Sequence, residues 1–316
     1  MNAWLRGIDV YLPEQIVSND DLVKHVNTTS EWIKTRTGIE QRRIEADKGQ
    51  TTSAIGTLAA QRLLNRLNVS PADIGGIIAG SMFPDKTFPS NACLIQLALG
   101  CENAFAYDIT AACGFIPFAY NAAALHIQAG QAQNILVISA ELCSRVINWK
   151  DRNTCILFGD AAAATLFSPT EEVGRGMLAT ELKSDGRFAS ILDLPQLGTD
   201  HAFMTMDGHA VFKLAVKELT EITQRVLKRA GYTPQDLTLF VPHQANIRII
   251  ESVGRRLGLP GEKVMINVQK YGNTSSASIP LALYEAEQSG LLKPGDLVAL
   301  AGIGGGMTWG CNLLRW

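Results

Sequence analysis

Long apolar runs, an excess of either charge and closely paired cysteines are all missing from this 316-residue chain. No stretch approaches the roughly 18–20 consecutive apolar residues that a membrane-spanning helix needs. The 28 Lys+Arg residues nearly balance 30 Asp+Glu, for a formal charge of −2. That balance argues against a protein that coats DNA or RNA, because phosphate binding needs a surplus of Lys and Arg. Charged residues make up 18% of the chain and hydrophobic residues 47%, too little charge for disorder and ample material for a core. The opening Met1-Asn2-Ala3-Trp4-Leu5-Arg6 lacks a basic stretch followed by a long apolar segment, so no secretory signal is expected. A soluble cytoplasmic protein of one large domain or two ordinary ones is the expectation.

Six cysteines are spread along the chain, at positions 93, 101, 113, 143, 155 and 311. None forms a C-x-x-C pair, and no histidine sits at zinc-finger spacing from them. In a reducing compartment they should be free thiols, each by default a small buried hydrophobe.

What the chain does contain is a repeat. The helical pattern that starts at Thr57-Leu58-Ala59-Ala60-Gln61-Arg62 returns at Thr220-Glu221-Ile222-Thr223-Gln224-Arg225, 163 positions later. Each copy runs to a Pro-x-Asp turn, Pro71-Ala72-Asp73 and Pro234-Gln235-Asp236, and then to an apolar stretch of strand length, 74–79 and 237–241. At the same offset, Ile116-Pro117-Phe118-Ala119 matches Ile279-Pro280-Leu281-Ala282, each opening an alanine-rich helix. Buried strands are expected after those helices, at 134–139 and 296–301. Three matches in order imply a duplicated α/β fold of two halves, residues 1–170 and 171–316, with central sheets covered by helices. Ligands in such folds collect at the carboxyl ends of strands and at helix N-termini, so the equivalent turns of the two halves are where chemistry is expected.

Three of those turns carry reactive groups. In Tyr107-Asp108-Ile109-Thr110-Ala111-Ala112-Cys113-Gly114, a strand leads through small residues to Cys113 at the start of a helix. A helix N-terminus favours a thiolate, so a lowered thiol pKa is expected there. His243, in Val241-Pro242-His243-Gln244-Ala245-Asn246, closes a buried strand of the second half. Asn273, in the duplicate of the Cys113 turn, could donate an amide hydrogen bond to a developing negative charge. Gly302-Ile303-Gly304-Gly305-Gly306 is followed by no stretch suited to a phosphate-binding helix, so it reads as a turn offering backbone N–H groups to an oxyanion rather than as a dinucleotide fingerprint.

Taken together, these motifs resemble the 3-oxoacyl-(acyl-carrier-protein) synthase III family, with its thiolase-like fold of αβαβα layers. The similarity also includes Glu31-Trp32-Ile33-Lys34-Thr35-Arg36-Thr37-Gly38-Ile39, Phe88-Pro89-Ser90, Phe158-Gly159-Asp160 and Gly272-Asn273-Thr274-Ser275. The resemblance implies that Cys113 is acylated by an acyl-CoA, with the N–H groups of Cys113 and Gly306 as oxyanion hole. It implies that His243 and Asn273 then stabilise the enolate formed as a malonyl-carrier-protein loses CO2. CoA thioester is substrate here, and neither metal nor cofactor is implied. Trp32 and Arg152 correspond to residues that hold the adenine of CoA, and Arg36 and Asn246 to residues near its phosphates and pantetheine arm. Met82, Phe88, Cys143, Cys155 and Phe158 correspond to acyl-pocket positions, with Phe88 crossing a homodimer. Lys213, Arg248, Arg255 and Arg256, with Lys217, are the expected docking patch for an acidic carrier protein.

Departures from the family pattern bear on substrate range. Phe115 follows Gly114 where the family carries glycine, which implies a reshaped pocket floor. Gly159-Asp160-Ala161-Ala162 replaces the family's Gly-Asp-Gly-Ala, and the small Cys143 and Cys155 imply room for primers longer than acetyl. An acyltransferase that passes the acyl group from Cys113 to an oxygen or nitrogen nucleophile is the alternative reading, and a non-catalytic scaffold is a third. A degradative thiolase is disfavoured, since Met307 stands where a second cysteine would be needed and Cys311 lies in the expected last strand.

Overall fold

The computed structural model describes residues 2–195 and 203–316. Nine strands build its two main sheets: β1 (Asn2–Tyr11), β2 (Gly76–Gly80), β3 (Phe105–Asp108), β4 (Ile135–Glu141), β5 (Ala161–Thr170), β6 (Gly176–Ser184), β7 (Leu239–Pro242), β8 (Leu297–Gly304) and β9 (Thr308–Arg315). Seven helices matter for the layers and the site: α1 (Ser30–Thr37), α2 (Thr52–Leu67), α3 (Asn91–Leu99), α4 (Phe115–Gln128), α5 (Gly208–Arg229), α6 (Ile247–Leu257) and α7 (Ser278–Gln288).

The first sheet has the order β1-β5-β4-β2-β3 and the second the order β7-β8-β9-β6. Both follow one plan. Strand β4 runs parallel to β2 and antiparallel to β5, which pairs with β1; strand β8 likewise runs parallel to β7 and antiparallel to β9, which pairs with β6. The one missing equivalent is that of β3. Residues Val268–Tyr271, at the repeat offset from β3, form a short helix, so the second sheet has four strands.

Helices α2 and α3 pack outside the first sheet, where Ile55, Leu63, Ile77 and Ile95 join one buried cluster. Helices α5 and α6 cover the outside of the second sheet, with Leu219, Ile222, Ile250 and Leu313 in another. Between the sheets lie α4 and α7, whose Phe115, Tyr120, Ile279 and Leu283 pack against Ile8, Val137, Val241 and Leu300 from both sheets. Five layers result, αβαβα, as the family resemblance implied. The first turns of the middle helices are buried on nearly every side because both flanks are sheet, and each fully buried Ile, Leu or Phe contributes about 1.5–3 kcal/mol. Tyr120 and Phe167 meet edge to face there, with ring centroids 4.8 Å apart.

Backbone details repeat as well. Helix α2 ends at Asn68 with φ of 51°, and α5 is followed, 163 positions on, by Gly231 with φ of 80°. In each half a 3₁₀ turn then follows, Pro71–Asp73 and Pro234–Asp236. No helix among the described residues is long and apolar enough to cross a membrane.

Candidate active site

Cys113 sits in the 3₁₀ turn Ala112–Gly114 that leads from β3 into α4. Ala112 takes a left-handed φ of 46°, a conformation that costs about 1–3 kcal/mol for a residue with a side chain. Asp108, at the end of β3 and ahead of this turn, is tied to the start of α3 by accepting from the N–H groups of Asn91 and Ala92, both at 2.8 Å. The glycines of the last hairpin let the chain come close. A methyl group at Gly304 would lie 2.7 Å from Cys113 N and 2.5 Å from Gly114 N, and one at Gly114 would lie 2.7 Å from Thr308 O. This contact explains Gly304 without a nucleotide, and Gly306 takes a left-handed φ of 73° that favours glycine.

His243 follows β7, and its backbone N–H donates to Ala301 O at 2.8 Å. Its Nδ1 lies 2.6 Å from Ser278 Oγ. That hydroxyl also accepts from the N–H of Gln244 at 3.3 Å, which leaves its own hydrogen free to donate to Nδ1. With Ser278 as that donor, the ring proton is assigned to Nε2, which makes Nε2–H a donor. Burial pushes the His243 pKa down to about 4, so the ring is neutral at neutral pH.

Asn273 is fixed by a parallel bridge to Phe158: its N–H donates to Leu157 O at 2.8 Å and its carbonyl accepts from Gly159 N at 3.1 Å. Two glycines make the bridge possible, since a Cβ at Gly159 would come within 2.3 Å of Tyr271 O and one at Gly272 within 2.7 Å of Leu157 O. The side-chain Oδ1 of Asn273 accepts from Ser275 N at 2.8 Å. The end of this amide left for another partner is the Nδ2 donor. Ser275 in turn brings its Oγ to 3.2 Å from Cys113 Sγ.

A cavity of about 520 Å³ has Cys113, His243 and Asn273 on its wall, together with Gly305 and Gly306. Burial pushes the Cys113 thiol up to about 12, the nearby Glu141 adding to the rise and the Ser275 hydroxyl opposing it. The expected depression of this pKa is thus corrected. In the closed site, desolvation of a buried thiolate outweighs the pull of one helix N-terminus.

Of the anticipated acyl-pocket residues, Met82 and Phe158 line the cavity. Cys143 and Cys155 do not: each is 1% exposed and packed inside the core around the second sheet. The expectation of a long primer drawn from these two small side chains therefore loses its basis. Phe88 is 84% exposed and does not line the cavity of its own chain; the expectation for it concerned the pocket of a second chain. Phe115 is buried in the middle layer, not on the cavity floor. The apolar wall comes instead from Leu192, Leu194, Met204, Met206, Val211 and Ile303, most of them in a stretch without motif character. All six cysteines are free, and Cys311 is buried within β9, away from the cavity lining.

Toward the surface, Thr29 caps α1 by accepting from Trp32 N at 3.1 Å, which sets Trp32 and Arg36 one turn apart on one face. The Arg152 guanidinium lies 4.8 Å from the Trp32 ring centroid and that of Arg36 5.9 Å. A second cavity of about 350 Å³ shares Gly208 and Asn246 with the first and adds Arg36, His209, Phe212 and Arg248. His209 was not anticipated. Lys213, Lys217, Arg248, Arg255 and Arg256 are exposed on α5 and α6. Two of these charges are partly offset, Lys217 by Glu218 at 3.0 Å and Arg255 by Glu251 at 3.5 Å.

Ser275 and Ser278 were likewise missed, although the repeat marks both: they stand 163 positions after Ala112 and Phe115, the residues around the nucleophile.

Comparison with known proteins follows the same lines. Residues 107–186 match the profile of the family described as 3-oxoacyl-[acyl-carrier-protein (ACP)] synthase III, and residues 227–316 that of its C-terminal part. A curated relative from Aquifex aeolicus, named beta-ketoacyl-[acyl-carrier-protein] synthase III, is 43% identical over 316 residues and covers 100% of both chains. One of the same name from Cereibacter sphaeroides is 45% identical over 324 residues, 100% of this chain and 99% of its own. The solved A. aeolicus 3-oxoacyl-[acyl-carrier-protein] synthase III superposes with a TM-score of 0.95 over 99% of this chain and all of that one. A priming beta-ketosynthase from the R1128 polyketide pathway is 32% identical, with a TM-score of 0.93 over 99% of this chain and 96% of its own.

Proposed function

The chain belongs to the 3-oxoacyl-[acyl-carrier-protein] synthase III family, and from that premise we propose how its site condenses an acyl-CoA with a malonyl-carrier-protein. Cys113 Sγ adds to the thioester carbonyl, whose oxygen is met by the N–H groups of Cys113 and Gly306. The C–S bond to CoA breaks, and CoA leaves as a thiol with the proton given up by Cys113. Malonyl-carrier-protein then loses CO2, and the electron pair left behind forms an enolate. Its oxygen is held by His243 Nε2–H and Asn273 Nδ2–H. The enolate carbon attacks the acyl-cysteine, the C–S bond to Cys113 breaks, and a 3-oxoacyl-carrier-protein two carbons longer than the primer is released. The Cys113 thiolate so released takes a proton from water, as a thiol whose pKa burial raises will do, and the free enzyme is restored. Loss of CO2 drives the sequence, so the chemistry calls for neither metal nor redox cofactor.

The observation that carries this reading is the pair of directed donors. Ser278 orients a neutral His243 and Ser275 occupies the oxygen of Asn273, so each keeps an N–H donor free in the cavity that Cys113 also lines. A hydrolytic or simple transfer site would need a base there, and a proton on Nε2 opposes that role. Mass spectrometry of products formed from malonyl-carrier-protein and acyl-CoAs of two to twelve carbons tests it. Chain extension by two carbons is expected, and the best primer fixes chain length. Acyl-Cys113 with no extended product would overturn it in favour of transfer to an oxygen or nitrogen nucleophile.

The stacked Trp32 and Arg152 suit an adenine ring, and Arg36 and Arg248 around the second cavity suit phosphates. Asn246, whose oxygen caps α6 through Ile249 N at 3.0 Å, keeps its amide N–H for the pantetheine arm. Lys213, Arg248, Arg255 and Arg256 form the carrier-protein docking face. A KM for the carrier substrate that stays level as salt rises would overturn that assignment.

We also place the protein in the cytoplasm as a homodimer, with the repeat boundary at 170/171. Phe88 and Leu97, 84% and 82% exposed, and the sheet-edge strand β3 supply an apolar face for a second copy. Sedimentation giving a wild-type monomer at micromolar concentration would reject the dimer.

A further inference from the structure

Among the buried ionisable groups that the mechanism above leaves unused, one reaches both the cavity wall and the Asn273 turn. Glu141, the last residue of β4, is 0% exposed. Its Oε1 accepts from Ser276 Oγ at 2.5 Å and from Ser276 N at 3.3 Å. Its Oε2 accepts from Met82 N at 2.9 Å and from Ser81 Oγ at 3.4 Å. Every one of these partners is a donor, and the two oxygens divide them between the halves of the molecule. Ser81 and Met82 belong to the first half and line the cavity. Ser276 belongs to the second half, next to Ser275, which holds a left-handed φ of 50°. Ser275 N–H fixes the Asn273 side chain, and Ser275 Oγ touches Cys113 Sγ.

A carboxylate buried without a basic partner is expensive unless hydrogen bonds replace its water. Burial pushes the Glu141 carboxyl up while its donors pull it down. A role confined to stability would be served as well by an apolar pair of similar size. What the arrangement adds is a rigid link between the nucleophile turn, the cavity wall and the turn that aims Asn273.

We propose that Glu141 is a positioning residue that clamps the Ser275–Ser276 turn to β4 and to Met82, so that the Asn273 amide is held at the enolate position beside Cys113. This rests on the condensation reading given above. Acylation of Cys113 does not use the Asn273 amide, whereas decarboxylation does. Loss of the clamp should therefore separate the two half-reactions.

The experiment compares wild type, Glu141→Gln and Ser276→Ala for the rate of Cys113 acylation, by intact mass, and for the rate of condensation. Glu141→Gln is expected to lower condensation about 100-fold, the effect of roughly 1 Å of misplacement, with acylation within about 3-fold of wild type. Ser276→Ala should give the same split at about 10-fold, and it decides the matter if Glu141→Gln does not fold. Equal loss in both half-reactions, or loss in neither, overturns the proposal. A wild type that acylates but never condenses would sink the reaction reading instead. In that case crystal structures decide: a Ser275–Ser276 turn and Asn273 amide unmoved in the variants overturn the clamp, and a displaced amide upholds it.

Discussion

At Ala112 and at Ser275, 163 positions apart, the backbone takes the same left-handed conformation, with φ of 46° and 50°. Each is followed by a 3₁₀ turn and by a helix that starts at Phe115 in one half and Ser278 in the other. The side chains on this shared frame differ. Cys113 stands opposite Ser276, Phe115 opposite Ser278, and Gly80 opposite His243. In the first half an aromatic ring fills the space over the end of β2, so close that a Cβ at Gly80 would lie 2.3 Å from it. In the second half, the same space holds the hydrogen-bonded pair of His243 and Ser278. Duplication supplied two equivalent strained turns; one was packed apolar beneath a nucleophile, and the other kept polar to aim two donors. The lesson is that the backbone sets where chemistry can occur and the side chain at three positions sets which chemistry.

The comparison can be broken most severely at its first pair. Cys113→Ser makes the nucleophile turn match its sister and should lower condensation by about 10⁴-fold or more, with no acyl-enzyme detected by intact mass. Next comes the second pair: Ser278→Ala frees His243 Nδ1 to take the proton, so condensation should fall about 100-fold while Cys113 acylation persists, as single-turnover kinetics would register.

The third pair is a packing test. Gly80→Ala should destabilise by about 1–3 kcal/mol through overpacking, and Phe115→Leu in the same chain should restore part of that in urea titrations. A pH experiment addresses His243 more gently. Its folded pKa of about 4 lies below the unfolded 6.5, so the unfolded chain binds the proton first and stability falls as pH drops through that window. His243→Gln should therefore lose less stability than wild type between pH 7 and pH 5, by about 2 kcal/mol. The smallest effect is expected outside the two turns. Arg152→Ala removes one cation from the Trp32 ring and should raise the KM for acyl-CoA about 5-fold, or ~1 kcal/mol, with kcat unchanged.

Much of the site could be read along the chain because it follows the repeat. Cys113, His243 and Asn273 each stand at the end of a strand or the start of a helix, and hydrophobic periodicity locates those ends. The glycines of 304–306 were legible as a turn, although the reason for Gly304, its closeness to Cys113 N, is a contact across nearly two hundred residues. Glu141 gave no signal, since one acidic residue after Ile138-Ser139-Ala140 resembles any polar strand end. Cys143 and Cys155 misled for a related reason. Cys155 lies just ahead of Leu157 and Phe158 of the cavity wall and Cys143 follows Glu141 closely, but nothing local says whether a small side chain faces a cavity or the core behind it. The Cys113 pKa failed because a helix N-terminus is a local feature and burial is not.

Two α/β halves, their helix and strand order, the absence of a membrane-spanning helix among the described residues and the turns where reactive groups gather all follow from residue periodicity and a fixed offset, which the linear chain carries in full. The protonation state of Cys113, the tautomer of His243, the wall of the cavity and the bridge from Phe158 to Asn273 arise only in the folded molecule. They depend on which distant residues exclude water from a group and which donors reach it, and neither is encoded by any neighbour in the sequence.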